Sequence, residues 1–150
     1  MTDADSEPNN ATRKMDISSI LTPSGVIPAL RSGAKKAVLE ELAEKAAEVT
    51  GRDASEIFSV LLDREKLGST GVGGGVAIPH GKLNDLDRLY MVFARAQNPI
   101  EFDAVDEHPV DLFCMLIAPE EAGADHLKAL ARISRLLRNQ GMCDKFFFFF

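Results

Sequence analysis

Apolar and polar residues alternate in blocks along the chain, and the period within each block predicts an element. Val26-Ile27-Pro28-Ala29-Leu30 reads as a strand, with Pro28 placing it at a sheet edge because proline cannot donate to a ladder. From Lys35 to Val49 the spacing of Leu39, Leu42, Ala43 and Ala46 predicts a helix with Glu41 and Lys45 paired outside, ended by Gly51. Asp53 and Glu56 are spaced as a capping box for a second helix reaching Lys66. Leu89 to Ala94 and Val110 to Ile117 read as strands, the second apolar without break from Leu112 as in a strand covered on both faces. Between them, Asn98 to Pro109 reads as a loop or irregular hairpin. After the turn at Pro119 to Gly123, Asp125 is placed to cap a last helix with a stripe of Leu127, Leu130, Ala131 and Leu137.

Interleaved helices and strands predict an α/β fold: a single-domain three-layer sandwich, a mixed sheet flanked by helices on both faces. Residues 1–14 are acidic and polar and read as a disordered leader. Ile17, Ile20 and Leu21 fit one helical turn stopped by Pro23, and the domain is drawn over residues 15–145. The run Phe146 to Phe150 is unlike the rest of the chain and is left unassigned.

Composition narrows the partners. With 150 residues, 45% apolar and 27% charged, the chain has the make-up of one globular domain. A net charge of −6 argues against a nucleic-acid binder and suits docking against a basic protein patch. Cys114 and Cys143 form no CxxC pair, and Cys114 sits in an apolar run as a core residue. Neither a membrane-length apolar run nor a signal-peptide pattern is visible, so the expected compartment is the cytoplasm, without membrane insertion.

The chemistry concentrates in Leu67 to Gly81, where Gly68, Gly71, Gly73, Gly74 and Gly75 precede Ile78-Pro79-His80-Gly81. Proline makes the residue before it extended, so His80 is expected at the stiff end of a strand with a flexible glycine beyond it. The spacing excludes a nucleotide loop. No GxxxxGK[ST] occurs, and counting GxGxxG from Gly71 puts Val76 in the last place. A histidine presented this way is a nucleophile able to accept a phosphoryl group. Arg64 continues the helix row of Ile57, Val60 and Leu61, either snorkelling at a helix C-terminus or aiming its guanidinium at phosphoryl oxygens. His126 shares a row with Leu130, Ile133 and Leu137 near a helix start, where burial and the helix dipole would hold it neutral. His108, before Pro109, reads as a turn residue. The histidines show no HxH or HExxH spacing for a metal, and Ser69-Thr70-Gly71 lacks the GxSxG elbow of a serine hydrolase.

Asp63-Arg64-Glu65, Gly68-Ser69-Thr70-Gly71 and Ala77-Ile78-Pro79-His80-Gly81 together resemble enzyme IIA of the bacterial phosphotransferase system, fructose/mannitol class. The likeness runs from Ile17 to about Cys143 and takes in Pro109-Val110-Asp111-Leu112, Ala118-Pro119 and His126-Leu127. Asp16-Ile17-Ser18-Ser19-Ile20-Leu21 and the standalone length are most similar to the nitrogen-regulatory branch. The resemblance implies a mixed-sheet α/β sandwich in which His80 accepts phosphoryl from an HPr-like phosphocarrier, with Arg64 and His126 as the other site residues. Ser69, Thr70, Gly73, Gly74 and Gly75 are the expected phosphoryl-binding positions. No cofactor or metal is expected, because the donor is another phosphohistidine. Regulated transporter or sensor proteins are the implied partners, and nucleic acid is not. Two other readings are a sugar-transport enzyme IIA serving a IIB domain and a binding module whose site is a relic.

Overall fold

The computed structural model describes residues 23–137. The leader, the turn at Ile17 to Leu21 and the phenylalanine run lie outside the described residues. A 3-10 turn at Pro23–Gly25 leads into β1 (Val26–Leu30), α1 (Lys35–Thr50) and α2 (Ala54–Lys66). The glycine-rich stretch then folds as β2 (Gly71–Gly73), β3 (Val76–Ala77) and β4 (His80–Leu83). β5 (Tyr90–Ile100), β6 (Val110–Pro119), a 3-10 turn at Glu120–Ala122 and α3 (Ala124–Leu137) complete the order.

The strands form one mixed six-stranded sheet in the order β1-β5-β6-β3-β2, with β4 continuing beyond β3 along β6. β1 runs parallel to β5, β5 antiparallel to β6, and both β3 and β4 parallel to β6. β1 is the edge strand that Pro28 predicts, and its pairing shifts register between Ile27 and Leu30. β5 runs past the predicted Ala94 to Ile100 by shifting register between Arg95 and Ile100, which carries it through Pro99.

Side-chain alternation divides the core into two layers. Val92, Ala94, Phe113, Met115 and Ile117 face α1 and α2, packing with Leu39, Leu42, Ile57 and Leu61. Met91, Phe93, Leu112, Cys114 and Leu116 face α3, packing with Ala129, Ile133 and Leu137. The apolar run of β6 is therefore buried on both sides.

Some predicted details hold and others take another form. Gly51 caps α1 at φ 76° with its N–H on Ala47 O, as a left-handed glycine does. Glu41 turns inward to accept from Ser32 Oγ at 2.8 Å, and Lys45 pairs with Glu48 instead. Asp53 caps α2 through Ser55 N, while Glu56 ion-pairs with Arg52 one turn back. α3 begins at Ala124, so Asp125 lies within its first turn and not before it. Leu127 is 65% exposed. The buried row of α3 is His126, Ala129, Ile133 and Leu137, with Leu130 packed beside it.

Candidate active site

His80 opens β4, where it pairs in register with Leu116 of β6. Ile78 and Pro79 interrupt the line from β3 to β4, so His80 starts a strand instead of ending one. Gly81 has no positive φ. A Cβ there would lie 2.9 Å from Val60 Cγ2, so the glycine lets α2 lie directly against β4. That approach carries the end of α2 to the histidine. On the opposite side of β4 from β6, no strand pairs among the described residues.

The bonds around His80 assign its tautomer. Nδ1–H donates to the carbonyl oxygen of Ile78 at 2.9 Å, and that oxygen can only accept. Arg64 Nε–H donates to His80 Nε2 at 3.2 Å, and a guanidinium can only donate. The neutral ring therefore carries its proton on Nδ1 and its lone pair on Nε2. Burial pushes the His80 pKa down, and the Arg64 charge adds to this, while the bond to Ile78 and the Glu65 charge oppose it. Arg64 is itself steadied by donating Nη1–H to Gly68 O at 2.8 Å.

The ring of His126 lies 5.3 Å from that of His80, centroid to centroid, tilted at 53°. It is 6% exposed, and among the described residues its Nδ1 has no hydrogen-bond partner. Burial first, then the proximity of His80 and Lys82, lowers its pKa to about 4. Burial is the cause expected from the sequence, and the neighbouring His80 and Lys82 add to it.

A cavity of about 270 Å³ opens over His80 and Arg64, lined also by Ser69, Thr70, Val72, Ile78, Leu130, Ala131 and Ser134, while His126 lies outside its lining. Ser134 is a lining hydroxyl that the helical pattern alone did not single out. Ser69 and Thr70 border the cavity, yet their hydroxyls donate to Phe102 O at 2.9 Å and Glu65 Oε1 at 2.6 Å. Gly73, Gly74 and Gly75 do not line it. They make the β2–β3 turn at φ 102°, 66° and 80°, where Gly74 N–H is held by Asp106 Oδ2 at 3.0 Å. The three glycines expected to cradle a phosphoryl group thus lie in a hairpin turn, where their left-handed conformations reverse the chain. His108 sits in the loop before β6, apart from the cavity lining, with its N–H on Asp106 Oδ1.

The model of the phosphoenolpyruvate-dependent sugar phosphotransferase system EIIA 2 family matches residues 19–147. The chain belongs to that family. A nitrogen regulatory protein of Bradyrhizobium diazoefficiens is 56% identical over 131 residues, covering 87% of this chain and 86% of the relative. The crystal structure of nitrogen regulatory protein IIA-Ntr from Neisseria meningitidis superposes with a TM-score of 0.79 at 35% identity, covering 83% of this chain and 86% of that one. A fructose-specific EIIA component of Haloferax volcanii is 38% identical over 138 residues, covering 87% of this chain and 88% of the relative. The chain is thus a nitrogen-regulatory type of enzyme IIA with sugar-specific enzymes IIA among its relatives. Among its described residues no helix is long and apolar enough to cross a membrane.

Proposed function

We propose that this enzyme IIA is a histidine phosphocarrier that accepts a phosphoryl group on His80 Nε2 from an HPr-like phosphohistidine protein. The observation that carries the reading is the His80–Arg64 pair. The nucleophilic lone pair is fixed on Nε2 by the Nδ1–H bond to Ile78, and a permanent cation already rests against it. In the transfer, the Nε2–P bond forms as the donor's N–P bond breaks, and that electron pair returns to the donor's ring nitrogen. His80 becomes a phosphorylated imidazolium, whose Nδ1–H is stabilised by the Ile78 carbonyl. Arg64 exchanges its bond to the lone pair for bonds to the phosphoryl oxygens, where its planar fork offsets the arriving charge. The orphaned Nδ1 of buried His126 leaves a ring nitrogen for a group arriving at His80. Preorganised donors of this kind need no ATP or bound metal to move a phosphoryl group between two imidazoles.

On this reading the protein works in the cytoplasm, and its phosphorylation state controls transporter or sensor proteins in nitrogen, potassium or carbon regulation. The identity to a named nitrogen regulatory protein supports the regulatory role. The alternative, transfer onward to a sugar-specific IIB domain, draws on the fructose-specific relative. Incubation with enzyme I, an HPr-like carrier and phosphoenolpyruvate should give an acid-labile phosphate that His80→Ala abolishes. No phosphate on the wild type, or an undiminished yield on His80→Ala, would refute the proposal. A phosphorylated protein that passes its group to no IIB favours the regulatory role.

A further inference from the structure

We propose that Glu65 is a positioning residue for the phosphoryl acceptor, closing a ring of bonds that fixes the tautomer and direction of His80. The inference rests on the phosphocarrier reading of that histidine.

Glu65 is a carboxylate only 7% exposed. Both of its oxygens accept from Thr70 N–H, at 3.2 and 3.1 Å, and Oε1 also accepts from Thr70 Oγ1 at 2.6 Å. Lys35 Nζ, at the start of α1, pairs with Oε2 at 2.9 Å. Thr70 in turn accepts Ile78 N–H on its carbonyl at 2.9 Å. Ile78 O receives His80 Nδ1–H, His80 Nε2 receives Arg64 Nε–H, and Arg64 is joined to Glu65 by the peptide bond. The circuit Glu65, Thr70, Ile78, His80, Arg64 therefore closes on itself. Within it, the Arg64 bond to Gly68 O pins the loop that Glu65 spans.

A buried carboxylate carries a desolvation penalty that an apolar residue at the same site would not, so packing does not account for it. What it adds is direction. Without an acceptor at 65, Thr70 is free to shift, Ile78 shifts with it, and the carbonyl that selects the Nδ1–H tautomer moves. A ring that turns, or that protonates Nε2, presents no lone pair to phosphorus. Small misplacements of this kind are costly in rate.

The test compares wild type, Glu65→Ala, Glu65→Gln and Thr70→Val. The readouts are His80 tautomer by 15N NMR in the unphosphorylated protein, and phosphoryl transfer from the phosphorylated HPr-like carrier. Glu65→Ala should mix the His80 tautomers and slow transfer about tenfold or more at saturating donor, with donor KM unchanged. Glu65→Gln keeps an oxygen for Thr70 and surrenders only Lys35, which retains Asp103 at 3.3 Å. It should keep the Nδ1–H tautomer and a rate within about threefold of wild type. Thr70→Val should move both readouts in the direction of Glu65→Ala, less far. If wild type takes no phosphoryl group, the phosphocarrier reading falls and this inference with it. If wild type is phosphorylated while folded Glu65→Ala keeps its tautomer and rate, this inference alone falls. Should Glu65→Ala not fold, a Thr70→Val protein unchanged in both readouts overturns it.

Discussion

Lowering the pH tests the placement of His126 directly. Its pKa is about 4 in the folded protein against an ordinary 6.5, with burial the first cause. Between those values the unfolded chain binds a proton that the folded chain refuses, so stability falls as pH drops through the window and is level above it. The gap between 6.5 and about 4, at about 1.36 kcal/mol per unit, sets a ceiling of about 3.4 kcal/mol. Ending the titration at about pH 4.5, above the folded value, and allowing for solvent screening leave about 2 kcal/mol. Urea unfolding at steps from about pH 7.5 to about pH 4.5 measures the loss, with His126→Gln as the reference that cannot titrate. Carboxylates titrate in both proteins and cancel in the difference. The wild type should lose about 2 kcal/mol more than the variant over that range. Parallel curves would show that His126 is not held neutral by burial, and the account of its side of the site would fail.

Two further outcomes follow from the site and its support. Arg64→Ala should slow phosphoryl gain by about a hundredfold or more while changing stability by under about 1 kcal/mol, read by rapid-quench kinetics and urea titration. Arg64→Lys should not restore the rate, because a compact ammonium lacks the planar fork whose Nε and Nη1 reach His80 and Gly68. Gly81→Ala brings a methyl to 2.9 Å from Val60 Cγ2 and should cost about 1–3 kcal/mol in urea unfolding. Adding Val60→Ala should recover part of that loss, and simple additivity of the two would rule out the contact as the cause.

The layered architecture was legible because periodicity reports what a face buries. Leu112 to Ile117 declares a strand covered on both sides, and the row through Ile57 and Leu61 declares the helix that covers one of them. The motif at Ile78-Pro79-His80 marked the histidine, and the rows marked Arg64 and His126 as polar breaks in apolar stripes. Their meeting is a tertiary fact that spacing alone does not contain. Where the sequence reading went astray, a local pattern had more than one use. Glycines that suit a phosphate also suit a tight turn, and Gly73 to Gly75 form one, with Gly74 N–H bonded to Asp106. Leu127 fits a helical stripe as well as Ala129 does, until the sheet decides which face it covers. Glu65 carries no periodic signal as a partner of Thr70 and Lys35, although Asp63-Arg64-Glu65 stood within the stretch resembling the family.

The opening over His80 holds about 270 Å³. His80 offers a single lone pair there, on Nε2. On the phosphocarrier reading, the protein that loads the histidine and the protein that unloads it have to take turns at the same doorway. A partner lingering on the loaded form shuts the supplier out, so traffic through this carrier is set by how long each visitor stays.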